Sequence, residues 1–163
     1  MEKKVVIEKL LKAGAKPVKN LVVKGVNIVP QENYIRVSLS LDKPVRGFIA
    51  GEDGAYKEGE TKVVFVSLYS LTAQLRDDSQ ASFAVNHVLK NPEAMQVILA
   101  GAKINILQED VKEGVAVVNP WSDQEKEGRV YDHDIIVNHV VDIALTERAY
   151  QMLDRLALAL MGL

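Results

Sequence analysis

No cysteine occurs in the 163 residues, which excludes disulfides, thiolate metal sites and a cysteine nucleophile. Aromatic residues are scarce at 6%, with a single tryptophan. No run of about 18 uncharged apolar residues exists, so no membrane-spanning helix and no membrane partner is expected. The opening MEKKVVIEKLLKAG carries charge throughout and lacks the apolar stretch of a secretory signal. A cytoplasmic setting is the resulting expectation. Catalytic signatures are missing too. There is no G-x-S-x-G elbow, no H-E-x-x-H, no G-x-G-x-x-G after a strand and no EF-hand loop. The chain therefore reads as non-catalytic, with no cofactor and no metal.

What is present suits one soluble domain spanning 1–163: 48% hydrophobic and 26% charged residues, with a net charge of −2. That small net charge hides an asymmetry. Residues 1–24 hold Lys3, Lys4, Lys9, Lys12, Lys16, Lys19 and Lys24 against Glu2 and Glu8, a balance of +5, so the remainder carries −7. Such a split describes either a basic arm for nucleic acid or the solvated side of an amphipathic helix.

Residues 1–19 read as a basic N-terminal helix or arm, with Val6, Leu10 and Ala13 at helical spacing and Gly14 as the stop. A β-rich body, 20–144, follows. LVVKGVNIV (21–29) is β-branched, with Gly25 offering a bend. YIRVSLSLD (34–42) alternates, with Ile35, Val37, Leu39 and Leu41 on one face and Arg36, Ser38 and Ser40 on the other. VRGFIA (45–50) and TKVVFVS (61–67) predict two more strands around the glycine-rich acidic loop AGEDGAYKEGE. A helical insertion is expected at about 68–100, in three pieces: 68–78, 79–91, and a last helix opened by Asn91-Pro92. Strands return at 102–108, 114–119 and 130–144. The closing helix, 145–163, has Thr146 as its cap and turns apolar toward its end. Its stripe predicts a buried helix or a homo-oligomer formed through residues 149–163.

The stretch VYDHDIIVNHVVDIA holds Asp132, His133, Asp134 and His139. On a continuous strand His133 and His139 share a face but stand roughly 20 Å apart, too far to share one ion. Asp132 and Asp134 lie about 7 Å apart at the backbone, which leaves a hard cation conceivable but without further ligands. His87 falls on an expected helix with no evident partner. Trp121, in the polar loop NPWSDQ, is expected either to cover the core or to offer a stacking ring to a partner.

The order β-β-β-α-β-β, the bent glycine-containing first strand and the alternating second strand resemble the oligonucleotide/oligosaccharide-binding fold of single-stranded DNA-binding proteins. The resemblance covers most of residues 20–144 and implies an α+β, mostly antiparallel barrel or sheet. It places a binding face on strands two and three and their connecting loops. Its candidate contacts are Tyr34, Arg36, Arg46, Phe48, Tyr56 and Lys62, with Trp121, and with Lys3, Lys4, Lys9, Lys12 and Lys24 attracting phosphate. The expected partner is single-stranded nucleic acid. The competing expectation is a structural component, of a virion or a multi-subunit scaffold, that assembles through its C-terminal helix.

Overall fold

The computed structural model describes residues 2–30, 35–50, 56–66, 71, 87, 91–117, 119–121 and 128–160. Its elements are helix α1 (Lys3–Lys12), strands β1 (Lys16–Pro30), β2 (Ile35–Ala50) and β3 (Tyr56–Val66), helix α2 (Pro92–Leu99), strands β4 (Lys103–Val111), β5 (Ala116–Val117), β6 (Arg129–Val130) and β7 (Ile135–Ala144), and helix α3 (Glu147–Leu160). The fold is α+β. Five strands pair antiparallel in the order β3-β2-β1-β4-β7, and β5 and β6 form a separate two-stranded ribbon. The helices expected over 68–78 and 79–91 lie outside the described residues, apart from Leu71, His87 and Asn91.

The sheet is not flat. The edge strand β7 lies against β2 and β3 at the far side, although no backbone ladder joins β3 to β7 among the described residues. Side chains bridge that gap. Gln108 from β4 and Asn138 from β7 both donate to the Arg46 carbonyl on β2, at 3.2 and 3.0 Å. Gly47 sits beside this junction; a Cβ there would stand 2.8 Å from Thr61 Cγ2 and 3.8 Å from Asn138 Nδ2. The missing side chain is what allows β2, β3 and β7 to approach so closely.

Inside the curl runs the main core. It takes Leu21, Val23, Val26 and Ile28 from β1, Val37, Leu39, Leu41 and Val45 from β2, and Val64 and Val66 from β3. Ile104 and Ile106 of β4, Val140 and Ile143 of β7, Leu71 and the apolar sides of α2 and α3 complete it. Two irregularities explain how long strands keep an apolar side inward. The β1–β2 register shifts between Val23 and Gly25, and the β4–β7 register shifts opposite Asn105 and Ile106. Each shift resets the alternation, so Val23 and Val26, and likewise Val140 and Ile143, reach the same core despite odd spacings.

A second cluster lies on the opposite side of β4 and β7. Val6 and Leu10 of α1 pack there with Ala15, Leu107, Trp121 and Val141. The α1 terminus explains the placement. Gly14 has φ +88°, the Gly14 N–H donates to the Leu11 carbonyl, and the Ala15 N–H donates to the Leu10 carbonyl. That is a Schellman ending, and Ala15 and Leu10 supply its usual apolar contact.

Several expectations are corrected. The strands expected at 34–42 and 45–50 are one strand, because Pro44 falls in the irregular β2–β3 stretch between Ser40 and Val45, where no ladder donor is required. Asp42 supports this region by accepting the Val22 N–H at 2.9 Å. Residues 56–60, expected in a loop, extend β3 and pair with Arg46–Ala50. The strand expected at 130–144 is broken, with β6 ending at Val130 and β7 starting at Ile135. Thr146 caps α3 as expected, its Oγ1 accepting the Ala149 N–H at 3.1 Å, and at the expected start of α2 Asn91 Oδ1 accepts the Ala94 N–H at 3.3 Å. On α3, Ala149, Leu153 and Ala157 lie in the main core, with Met152 and Leu156 packed against it. No helix among the described residues is long and apolar enough to cross a membrane.

Candidate nucleic-acid interface

Strand parity divides β1, β2 and β3 into a core side and an outer side. The register aligns the outward residues in rows: Val29 beside Arg36, then Asn27–Ser38–Phe65, then Gly25–Ser40–Val63. Phe65 is 52% exposed and Val29 and Val63 more than a third exposed. Large apolar side chains aimed at water on one shared face are more informative than scattered ones. The Arg36 guanidinium lies over the Phe65 ring, its Cζ 4.1 Å from the centroid. The rest of the face is polar and uncharged. Among the described residues, α1 packs on β4 and α2 on β1, and neither helix hides Phe65.

Arg46 has a different role from the one expected. Its Nε donates to Glu58 Oε1 at 2.8 Å, and its second terminal nitrogen (Nη2) to Asp110 Oδ1 at 3.2 Å. The Glu58 hydrogen bond, then the Glu58 and Asp110 charges, raise its pKa further. With its carbonyl taken by Gln108 and Asn138, Arg46 ties together β2, β3, β4 and β7. Its charge is therefore already met by two carboxylates of this chain.

Trp121 takes the first of its two expected roles. It is 4% exposed, within the second cluster, and its backbone N–H donates to Asn119 Oδ1 at 3.0 Å. An enclosed indole presents no open stacking surface, so Trp121 covers the core. Lys3 is ion-paired with Asp142. Lys4, Lys9 and Lys12 stand exposed on α1, Lys24 on β1 at its bulge, and Lys62 on β3. Tyr34 lies outside the described residues, as do the side chains of Phe48 and Tyr56, whose backbones pair within the β2–β3 ladder.

The histidine–aspartate stretch resolves into structural contacts. Asp134 Oδ1 accepts the Glu113 N–H at 2.9 Å and its Oδ2 meets Lys112 Nζ at 3.5 Å. That backbone bond first, then Lys112, pull its pKa below 3.8. Asp134 thus fastens the base of the β5–β6 ribbon. His133 contacts Asp132 at 3.2 Å and stands edge-on to Tyr131. His139 is buried on β7 with Nε2 3.1 Å from Glu109 Oε1. Among the described residues no group of three or more histidines and carboxylates is placed to hold a metal ion.

Phe65 is the residue that sequence reasoning missed. The signal was available: in TKVVFVS the same alternation that buries Val64 and Val66 turns Val63 and Phe65 outward. Comparison with protein-family models, curated proteins and solved structures returned no match.

Proposed function

We propose that this chain is a non-catalytic, cytoplasmic protein that binds single-stranded nucleic acid across the outer face of β1, β2 and β3. The observation that carries the reading is the half-exposed Phe65 ring beneath the Arg36 guanidinium, on a face it shares with Val29, Val63, Asn27, Ser38 and Ser40. Unpaired bases stack on such rings whatever their sequence, contributing about 1–3 kcal/mol each. The exposed lysines of α1, with Lys24 and Lys62, supply attraction for phosphate. Ser38, Ser40 and Asn27 add hydrogen-bonding groups without adding negative charge.

The fold reading that goes with this function is an oligonucleotide/oligosaccharide-binding architecture. It is supported by the strand order β3-β2-β1-β4-β7, by a helix between β3 and β4 in the chain, and by the approach of the two edge strands. That architecture binds on strands two and three, where Arg36 and Phe65 stand. The assembly alternative, a homo-oligomer through residues 149–163, has less to draw on. The core consumes Ala149, Leu153 and Ala157, leaving Leu158 as the large apolar side chain exposed on the described part of α3.

The test is fluorescence anisotropy of a labelled single-stranded oligonucleotide at low and moderate salt. Saturable binding that weakens with salt, and that drops about 5- to 150-fold on Phe65→Ala, is the expected result. Neutralising Lys4, Lys9 and Lys12 together flattens the salt dependence. Absence of binding at the lowest salt sinks the reading.

A further inference from the structure

The cation over Phe65 points to how a ligand would enter the site. Arg36 and Arg46 lie on the same strand but are held differently. Arg46 is neutralised by two carboxylates. Arg36 meets no carboxylate among the described residues, and its guanidinium lies on the face of Phe65. A guanidinium is planar, delocalised and weakly hydrated. Lying flat on an exposed ring, it occupies the volume that a stacked base needs. An exposed cation–π contact is weaker than base–aromatic stacking, and a guanidinium released from the ring is free to make a charge-assisted, bidentate bond to phosphate.

We propose that Arg36 is a placeholder in the free protein: an unpaired nucleobase displaces its guanidinium from Phe65, and the displaced guanidinium takes the adjoining phosphate. The subsite is thus built for one nucleotide unit, a base on Phe65 and a phosphate on Arg36. This rests on the nucleic-acid reading above. It differs from a fixed sandwich, in which Arg36 stays on the ring and the base stacks on the guanidinium. In the exchange, Arg36 competes with the base for the ring while attracting the phosphate. Removing it therefore has opposite effects on the two halves of the ligand.

The experiment compares the full-length wild type with Arg36→Ala by anisotropy titration of labelled oligothymidine from low to high salt. Urea midpoints confirm that both chains are folded, as expected for a change at an exposed strand position. At low salt Arg36→Ala binds more weakly. The slope of log affinity against log salt becomes shallower by about 0.7, the value for one phosphate contact on a single strand. At high salt, where the phosphate contact no longer counts, the two curves cross and Arg36→Ala binds as tightly as wild type or tighter. A second readout follows the Arg36 δ-protons by NMR. The Phe65 ring current shifts them upfield in the free protein, and the shift disappears on saturation with oligothymidine. Weakening by one constant factor at every salt, or a ring-current shift that persists in the complex, overturns the exchange while leaving nucleic-acid binding intact. Failure of the wild type itself to bind removes the reading on which the exchange rests.

Discussion

Replacing Trp121 with alanine removes the largest side chain of the cluster that seats α1 on the outer side of β4 and β7. The indole is 4% exposed and packs with Val6, Leu10, Ala15, Leu107 and Val141. Burying a tryptophan withdraws about 150–250 Å² from water. At about 25 cal/mol per Å² that corresponds to roughly 4–6 kcal/mol. Residual burial in the unfolded chain lowers it to about 3–5 kcal/mol, the range seen for Trp→Ala in cores. The cluster is small and lies under a single helix, so partial collapse is available and the lower end, about 3 kcal/mol, is expected. For a chain of this length that lowers the melting temperature by roughly 6–12 °C. Urea and thermal melts followed by far-UV circular dichroism measure it, since the intrinsic fluorophore is deleted. Oligonucleotide binding, measured well below the new midpoint, stays within about twofold of wild type, because the indole does not reach the outer face of β2 and β3. A loss under 1 kcal/mol, or abolished binding in a fully folded variant, would refute the assignment of Trp121 to the core.

Gly47→Ala places a methyl group 2.8 Å from Thr61 Cγ2. Thr61 cannot turn away freely because its Oγ1 accepts the Val63 N–H, so about 1–3 kcal/mol of stability is lost in urea melts. Gln108→Ala and Asn138→Ala each delete one donor to the Arg46 carbonyl, but they differ in cost. Among the described residues Asn138 Oδ1 is buried without a partner, so its removal also relieves an unsatisfied acceptor. Gln108→Ala is therefore the more destabilising of the two, measured by paired denaturation curves. Acid weakens the fold through Asp42 and Asp134, whose folded pKa values are lowered by the backbone N–H groups of Val22 and Glu113. Their contributions are complete above the unfolded value of about 3.9 and are lost as pH falls below it toward the folded pKa. Asp42→Asn and Asp134→Asn should each flatten the stability profile below about pH 4, and unchanged profiles refute the bonds.

Local chemistry was legible wherever it acts within a few residues. Alternation in YIRVSLSLD named Val37, Leu39 and Leu41 as core, and all three are buried. Gly14 marked the end of α1, Asn91-Pro92 the start of α2 and Thr146 the cap of α3. The boundary at Asp42-Lys43-Pro44 was misread because proline signals a break only where a ladder donor is needed. Whether one is needed depends on the partner strand. The ion pairs of Arg46 were illegible for the same cause. Arg46 carries the charge expected of a phosphate contact, but Glu58 and Asp110 reach it from strands 12 and 64 residues away in sequence. Phe65 was overlooked, although the alternation in TKVVFVS turns it outward.

By itself the sequence determined where α1, α2, α3 and β4 fall and which side of β2 is apolar, because periodicity and caps depend on neighbours a few positions away. It also set the cysteine-free chemistry and the basic N-terminal segment. Tertiary structure decided what no local pattern encodes: that β3 and β7 curl toward each other, that Trp121 is enclosed beneath α1, and that one arginine is neutralised while another lies open on a ring. These outcomes depend on pairing register and on two bulges. A shift of one residue turns a side chain from the core to the solvent, so which charges and rings face outward is settled only when the strands have met.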